Sequence, residues 1–183
     1  MPLSADVGIV QGEGSLWIFD VGSSDETATA INALPGKKIV VLSHFHADHA
    51  ANLPKIQFER LYAGSYTCKK LGMGIPVERE MTFFDGVELR LFPLPSSHAK
   101  GCVGLEVGGA FAFVGDGLYS GGKDGSTYNV SVLHETIAAV RRLSAKELLV
   151  SHDAAFVRPA DEMLAHLEMI YARRKPGEAF LSV

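Results

Sequence analysis

Cysteine is scarce in this chain, with two residues, Cys68 and Cys102, in 183. Two thiols cannot build a disulfide framework, and neither lies in a Cys-x-x-Cys pair, so thiolate zinc clusters and redox dithiols are excluded. Both are expected as reduced, partly buried thiols. Basic charge is also in short supply: 17 Lys and Arg stand against 21 Asp and Glu, a formal net charge of −4. Such a balance gives no electrostatic footprint for holding a long nucleic acid. No apolar run approaches the length of a bilayer span, and Met1 to Asp6 has no basic start followed by an apolar stretch, so neither a membrane nor a secretory leader is expected. A cytoplasmic compartment is the resulting expectation. Pro- or Ser-rich linkers, repeats and charge blocks are missing too, which leaves one domain over residues 1–183 as the simplest organisation. With 47% hydrophobic and 21% charged residues, disordered and fibrous classes drop out.

What is present alternates between strand-like and helix-like segments. Ser15 to Val21 is a β-rich apolar run, and Ser23-x-x-Glu26 has the form of a capping box opening a helix that ends near Leu34, before Pro35-Gly36. Lys38-Ile39-Val40-Val41-Leu42 follows, and its unbroken apolar character predicts a strand covered on both faces. Val87 to Leu91 alternates as a half-buried strand should, and Cys102 to Val107, Gly108-Gly109 and Ala110 to Val114 read as a hairpin. Leu133, Ile137, Val140 and Leu143 fall at helical spacing, Glu147 to Val150 is a short strand, and Met163, Leu167, Ile170 and Arg174 trace a last helix between Pro159 and Pro176-Gly177. Two βα-rich halves fit an α/β architecture of packed sheets with helices outside.

The chemistry concentrates in Ser43-His44-Phe45-His46-Ala47-Asp48-His49, directly after the buried strand. Period-two alternation puts His44 and His46 on one side of an extended segment, and Asp48 and His49 come from the turn that follows. Strand-end loops are where sites usually sit. Three further candidates stand just after apolar strands: His98 in Ser-Ser-His-Ala-Lys-Gly, Asp116 in Val-Gly-Asp-Gly, and His152 in Val-Ser-His-Asp. Five histidines and two aspartates suffice for two cations with one carboxylate shared.

On these residues the chain resembles the metallo-β-lactamase superfamily of metallohydrolases. Asp20-Val21-Gly22 is similar to its first motif, the His-x-His-x-Asp-His run to its second, and His98, Asp116 and His152 to its third to fifth, in order. Gly115 to Gly122 is similar to glyoxalase II-like members, here as a minimal single domain. The resemblance implies a four-layer αββα sandwich with the site at one edge. It implies one metal on His44, His46 and His98, a second on Asp48, His49 and His152, Asp116 bridging them, and Asp20 supporting the ligand loop. Zinc is the expected metal, with iron or manganese as alternatives. Departures lie beside the ligands: Ser-Ser-His-Ala-Lys-Gly replaces a Pro-Gly-His-Thr-Pro-Gly type of third motif, and Ser-His-Asp replaces Gly-His-Gly in the fifth.

The expected reaction is hydrolysis of a small, anionic ester, thioester or lactone by a metal-bound bridging hydroxide, with Asp48 orienting the water and taking its proton. Ser43, Ser97 and Cys102 have no free His and acid partners, so a protein nucleophile ranks far lower. The alternative is a persulfide dioxygenase-like oxidoreductase of the same superfamily, with one ferrous ion on His44, His98 and Asp116. Flavodiiron-type reductases rank lower, since they look for Glu where this chain has His46. RNA-processing relatives are disfavoured by the acidic balance. Lys100, two residues after His98, and Tyr119, Lys123 and Tyr128, on a polar, Gly-rich rim loop, are candidate substrate contacts. Tyr66 and Cys68, on a helix after Leu61, are weaker ones. His134 and His166 read as solvated helix-face imidazoles.

Overall fold

The computed structural model describes residues 4–122 and 125–183. Strands β1 (Gly8–Gln11), β2 (Ser15–Phe19), β3 (Lys37–Leu42), β4 (Arg60–Ala63) and β5 (Ile75–Pro76) form a five-stranded sheet in that spatial order. The first pair is antiparallel and the rest are parallel. Between them lie helices α1 (Asp25–Ala33), α2 (Ala47–Ala50) and α3 (Ser65–Leu71). The chain continues through β6 (Met81–Phe84), β7 (Glu88–Leu94), β8 (Cys102–Val107), β9 (Phe111–Gly115), β10 (Thr127–Asn129), α4 (Val130–Arg141), β11 (Glu147–Val150), β12 (Val157–Pro159), α5 (Ala160–Ala172) and β13 (Phe180–Ser182). The second sheet has the order β12-β11-β9-β8-β7-β6, and β10 pairs with β13 as a separate ribbon.

Alternation along the strands builds the layers. In β2 and β3, Trp17, Phe19 and Val41 point into a core shared with Leu89, Leu91, Val103, Leu105 and Phe113 of the second sheet. Their neighbours Ile18, Val40 and Leu42 pack instead against Ala28 and Ile31 of α1. On the other side, Ala112, Val114, Leu148 and Val150 meet Leu133, Ile137, Leu167 and Ile170 of α4 and α5. Both faces of each sheet are therefore covered, as the unbroken apolar run of β3 predicted, and the result is the four-layer αββα sandwich. Each large apolar side chain removed from water contributes about 1.5–3 kcal/mol before conformational entropy is set against it.

Two details differ from the sequence reading. Helix α1 is capped by Ser24, whose Oγ accepts from the Thr27 N–H at 3.1 Å. Ser23 lies outside the helix because its own N–H is held by Ser4 Oγ at 3.0 Å. The stretch read as a loop up to Tyr128 contains the start of β10, and Gly121 makes an antiparallel bridge with Thr127. Pairing with the distant β13, not local sequence, makes Thr127–Asn129 a strand.

The direction of the strands positions the site. Strands β7 and β9 are both antiparallel to β8, and β11 runs parallel to β9, so all three deliver their C-terminal ends to one rim. Parallel β2 and β3 do the same in the first sheet. The Val103 N–H donates to the Ser43 carbonyl at 2.9 Å and ties the two sheets together at that rim.

Candidate metal centre

Each ligand candidate follows a strand end. Asp20 follows β2, Ser43 and His44 follow β3, His46 is the N-cap of α2, and Asp48 and His49 lie on that short helix. His98 sits in the loop between β7 and β8, Asp116 follows β9, and His152 follows β11. Asp20 and His152 adopt positive φ, 59° and 61°, an unfavoured backbone conformation that costs of order 1–3 kcal/mol and persists only where surroundings enforce it. Gly115, just before Asp116, has φ 53°, and a Cβ there would lie 2.8 Å from Ser43 Cβ. Only glycine lets β9 pass so close to the β3 end.

The side chains converge into two groups. The donor atoms of His44, His46 and His98 lie within 4.8 Å of one another, as do those of Asp48, His49, Asp116 and His152. The two groups abut: the His44 and His49 rings are 4.2 Å apart at their centroids. Asp116 Oδ2 is 3.2 Å from His49 Nε2 and 3.3 Å from His98 Nε2, so this carboxylate faces both groups. His152 Nε2 lies 3.0 Å from Asp48 Oδ2, and His98 Nε2 lies 3.1 Å from His46 Nδ1.

Asp20 organises the buried end. Its Oδ1 accepts the Ser43 N–H at 2.7 Å, and its Oδ2 accepts the Ser43 hydroxyl at 2.8 Å. The same Oδ2 is 2.7 Å from His49 Nδ1. Because the Ser43 hydroxyl proton is given to Asp20, Ser43 Oγ is left to accept from His44 Nδ1 at 2.9 Å. That relay leaves His44 Nε2 as a bare lone pair. Burial, and then the charge of His49 and the other imidazoles, holds His44 well below the ordinary histidine range. His46 is lowered by burial and by His98. His49 behaves oppositely: burial works against its charge, but the Asp20 and Asp116 carboxylates outweigh it and lift the imidazolium to about 10.

Two atoms test whether this donor set fits a cation. His44 Nε2 and Asp116 Oδ1 are buried without a hydrogen-bond partner among the described residues, which ordinarily costs about 1–3 kcal/mol each. One atom belongs to each donor group, and imidazole nitrogen with carboxylate oxygen is a donor set suited to zinc, iron or manganese. The residues present fit two divalent cations.

The candidate substrate contacts fare unevenly. Lys100 is exposed, two residues beyond His98. Tyr119 is half-buried, its ring centroid 6.4 Å from that of His98, and its hydroxyl donates to the Ser151 carbonyl at 2.7 Å. Tyr128 is largely buried rather than on an open rim: it is 7% exposed in the core of the second sheet, and its hydroxyl donates to the Leu118 carbonyl at 2.9 Å. Both tyrosines line a cavity of about 340 Å³ with Asp153, Arg158 and His166. Lys123 lies outside the described residues. His134 and His166 are exposed on α4 and α5, away from the donor groups. From the sequence Ser43 stands out only as a low-ranking candidate nucleophile. Its relay role is missed there because it depends on Asp20, 23 positions earlier in the chain.

Comparison with known proteins bears on the fold that carries this site. Residues 1–64 match the family model of the metallo-β-lactamase superfamily. A flavo di-iron protein from Thermotoga maritima superposes with a TM-score of 0.66 at 13% identity, over 90% of this chain and 53% of that one. This chain thus spans about half of that protein's length. A B3 metallo-β-lactamase with an active-site glutamic acid superposes with a TM-score of 0.69 at 11% identity, over 93% and 84% of the two chains. The chemotaxis sensor ODP, in a peroxy diiron species, gives a TM-score of 0.69 at 16% identity, over 90% and 86%. At these identities the likeness is one of fold. No curated protein matches the chain.

Proposed function

We propose that the chain, which carries the metallo-β-lactamase fold and matches the superfamily's model over residues 1–64, is a dinuclear metal-dependent hydrolase. In this reading His44, His46 and His98 hold one divalent cation, Asp48, His49 and His152 hold another, and Asp116 is shared. Zinc is the expected ion. The observation that carries the reading is the meeting of the two donor groups at Asp116, one oxygen facing both His49 and His98 and the other buried without a partner among the described residues.

When bound, two divalent cations polarise a scissile carbonyl and make water acidic enough to supply hydroxide near neutral pH. Asp48 is the catalytic carboxylate. Its side chain is 26% exposed, so it can hold a water at the mouth of the site and take its proton. His152, 3.0 Å away, fixes which way that carboxylate points. Asp20 holds His49 directly and His44 through Ser43, which keeps both donor nitrogens aimed inward. The positive charge of two cations exceeds that of the two carboxylates, so anionic esters, thioesters or lactones are the favoured substrates. Lys100 and Tyr119 remain proposed contacts. The acidic balance of the chain disfavours nucleic acid.

The test is hydrolysis of a thioester, lactone and phosphodiester panel by protein purified without added metal. Thioester or lactone cleavage, abolished by a chelator and restored by zinc, is expected. A chain holding one ion or none that cleaves nothing in the panel overturns the proposal. One contact favours a second reading: His98 Nε2 lies 3.3 Å from Asp116 Oδ2, so His44, His98 and Asp116 could hold one ferrous ion. Iron in place of zinc, with oxygen uptake on glutathione persulfide, is the result that would establish it.

A further inference from the structure

Phe45, between the metal-site candidates His44 and His46, is half-buried and packs only in part against the core of the second sheet. Its ring meets His46 edge-on at 4.9 Å between centroids and Tyr66 of α3 at 5.5 Å. Tyr66 is 37% exposed, and among the described residues no hydrogen bond engages its hydroxyl. Lys70, one turn further along α3, places its ammonium 5.6 Å from the Tyr66 ring centroid and 6.0 Å from that of Phe45. It makes no ion pair among the described residues, and neither does Lys100. The loop carrying His98 and Lys100 is seated against the same helix. The Thr67 hydroxyl donates to the Gly101 carbonyl at 3.2 Å. A side chain at Gly64 would collide with that carbonyl, so the close approach requires glycine there.

The Phe45 and Tyr66 rings and the Lys70 ammonium thus line up beside His46 on one side of the donor group, with exposed Lys100 on the loop seated against the same helix, and neither lysine has an ion-pair partner among the described residues. An exposed Tyr66 ring beside a half-buried Phe45 ring, next to these cations, suits a ligand with an apolar body and a negative charge. We infer that Phe45, Tyr66 and Lys70, with Lys100 beside them, form the substrate wall of the site, selecting acyl compounds that carry both an apolar or aryl group and a carboxylate. The inference rests on the hydrolase reading for the bond that is cleaved, but the wall itself can be tested without turnover.

Calorimetric titration of 4-phenylbutyrate, 4-phenylbutanol and acetate into the zinc-loaded full chain provides that test. Phenylbutyrate should bind more tightly than either the alcohol or acetate. Lys70→Gln should weaken phenylbutyrate by about three- to tenfold and leave phenylbutanol unaffected. Tyr66→Ala should weaken phenylbutyrate and phenylbutanol together, and both variants should keep wild-type zinc content. No binding of phenylbutyrate, or binding unchanged in both variants because the cations alone hold the carboxylate, overturns the inference. Should the wall behave as expected while no ester, thioester or lactone is cleaved, the hydrolase reading fails and the wall stands. Cleavage with unaltered binding in both variants defeats the wall alone.

Discussion

Replacing Asp20 by Asn probes the proton wiring of the site with little change of shape. Asn tolerates the positive φ of 59° at this position, as Asp does. A carboxylate only accepts hydrogen bonds, whereas the amide offers one accepting oxygen and one donating nitrogen. The oxygen can keep the Ser43 N–H now held at 2.7 Å. The amide nitrogen then occupies the position of Oδ2, facing both the Ser43 hydroxyl and His49 Nδ1. To avoid donor against donor, His49 must move its proton to Nε2, the nitrogen that faces Asp116 at 3.2 Å. That removes one lone pair from the Asp48, His49, Asp116 and His152 group. Loss of such a supporting partner typically costs 10–100-fold in metal affinity, so the variant should bind its second zinc about that much more weakly in competition with a chelator.

The metal-free protein gives an independent readout of the same wiring. His49 is lifted from 6.5 to about 10, so its ion pair with Asp20 stabilises the fold fully below pH 6.5. This contribution is lost as pH rises through about 10. Breaking a buried pair of this kind costs about 3–5 kcal/mol. In urea titrations of metal-free protein, the wild type should exceed Asp20→Asn by an amount in that range at pH 6, with the gap narrowing toward pH 10. Wild-type affinity for both zinc ions in the variant, together with a pH-independent gap, would refute the reasoning.

Gly115→Ala should lower stability by at least about 1–3 kcal/mol, from positive-φ strain and the 2.8 Å approach to Ser43 Cβ, and should weaken zinc binding because Asp116 is the next residue. Thermal denaturation with a zinc titration checks both effects. Glu106 is buried, pairs with Arg90 and accepts the Ser144 and Ala145 N–H groups at 2.6 and 2.7 Å. Glu106→Ala should cost about 3–5 kcal/mol in urea unfolding, with zinc stoichiometry unchanged because this network lies away from the site. Asp85 accepts from the Gly14 and Ser15 N–H groups and from the Trp17 indole, and the Gly14 N–H leads in holding its carboxyl below the usual range. Its contribution is present above the unfolded carboxyl value of 3.8 and lost as pH falls through the lower folded one. The stability gap between wild type and Asp85→Asn should therefore collapse in acid, and a gap that persists there contradicts the assignment.

The central strands are legible in the sequence because burial on both faces leaves a local mark. Lys38 to Leu42 reads as a covered strand, and β3 puts Val41 toward one layer and Val40 and Leu42 toward the other. Short strands such as β5, β10, β12 and β13 leave none: each is two or three residues long, β5 and β12 contain proline, and each exists through a partner elsewhere in the chain. The same division runs through the site. His44, His46, Asp48 and His49 stand out because they are contiguous, whereas His98, Asp116 and His152 become visible only as an ordered series at strand ends. The burial of Tyr128 is not legible, because its polar, Gly-rich surroundings look like a rim loop, yet pairing with β13 draws the ring inward. The Ser43 relay and the Lys70 contact with Phe45 depend on tertiary approach that no local pattern encodes.

The most direct test of the central claim is elemental analysis of the full chain purified without added metal. Two donor groups joined by Asp116 predict about two divalent cations per chain, zinc foremost. His44→Ala and His152→Ala should each reduce the content toward about one. A wild-type chain that holds a single iron, or no metal after exposure to zinc, would contradict the account.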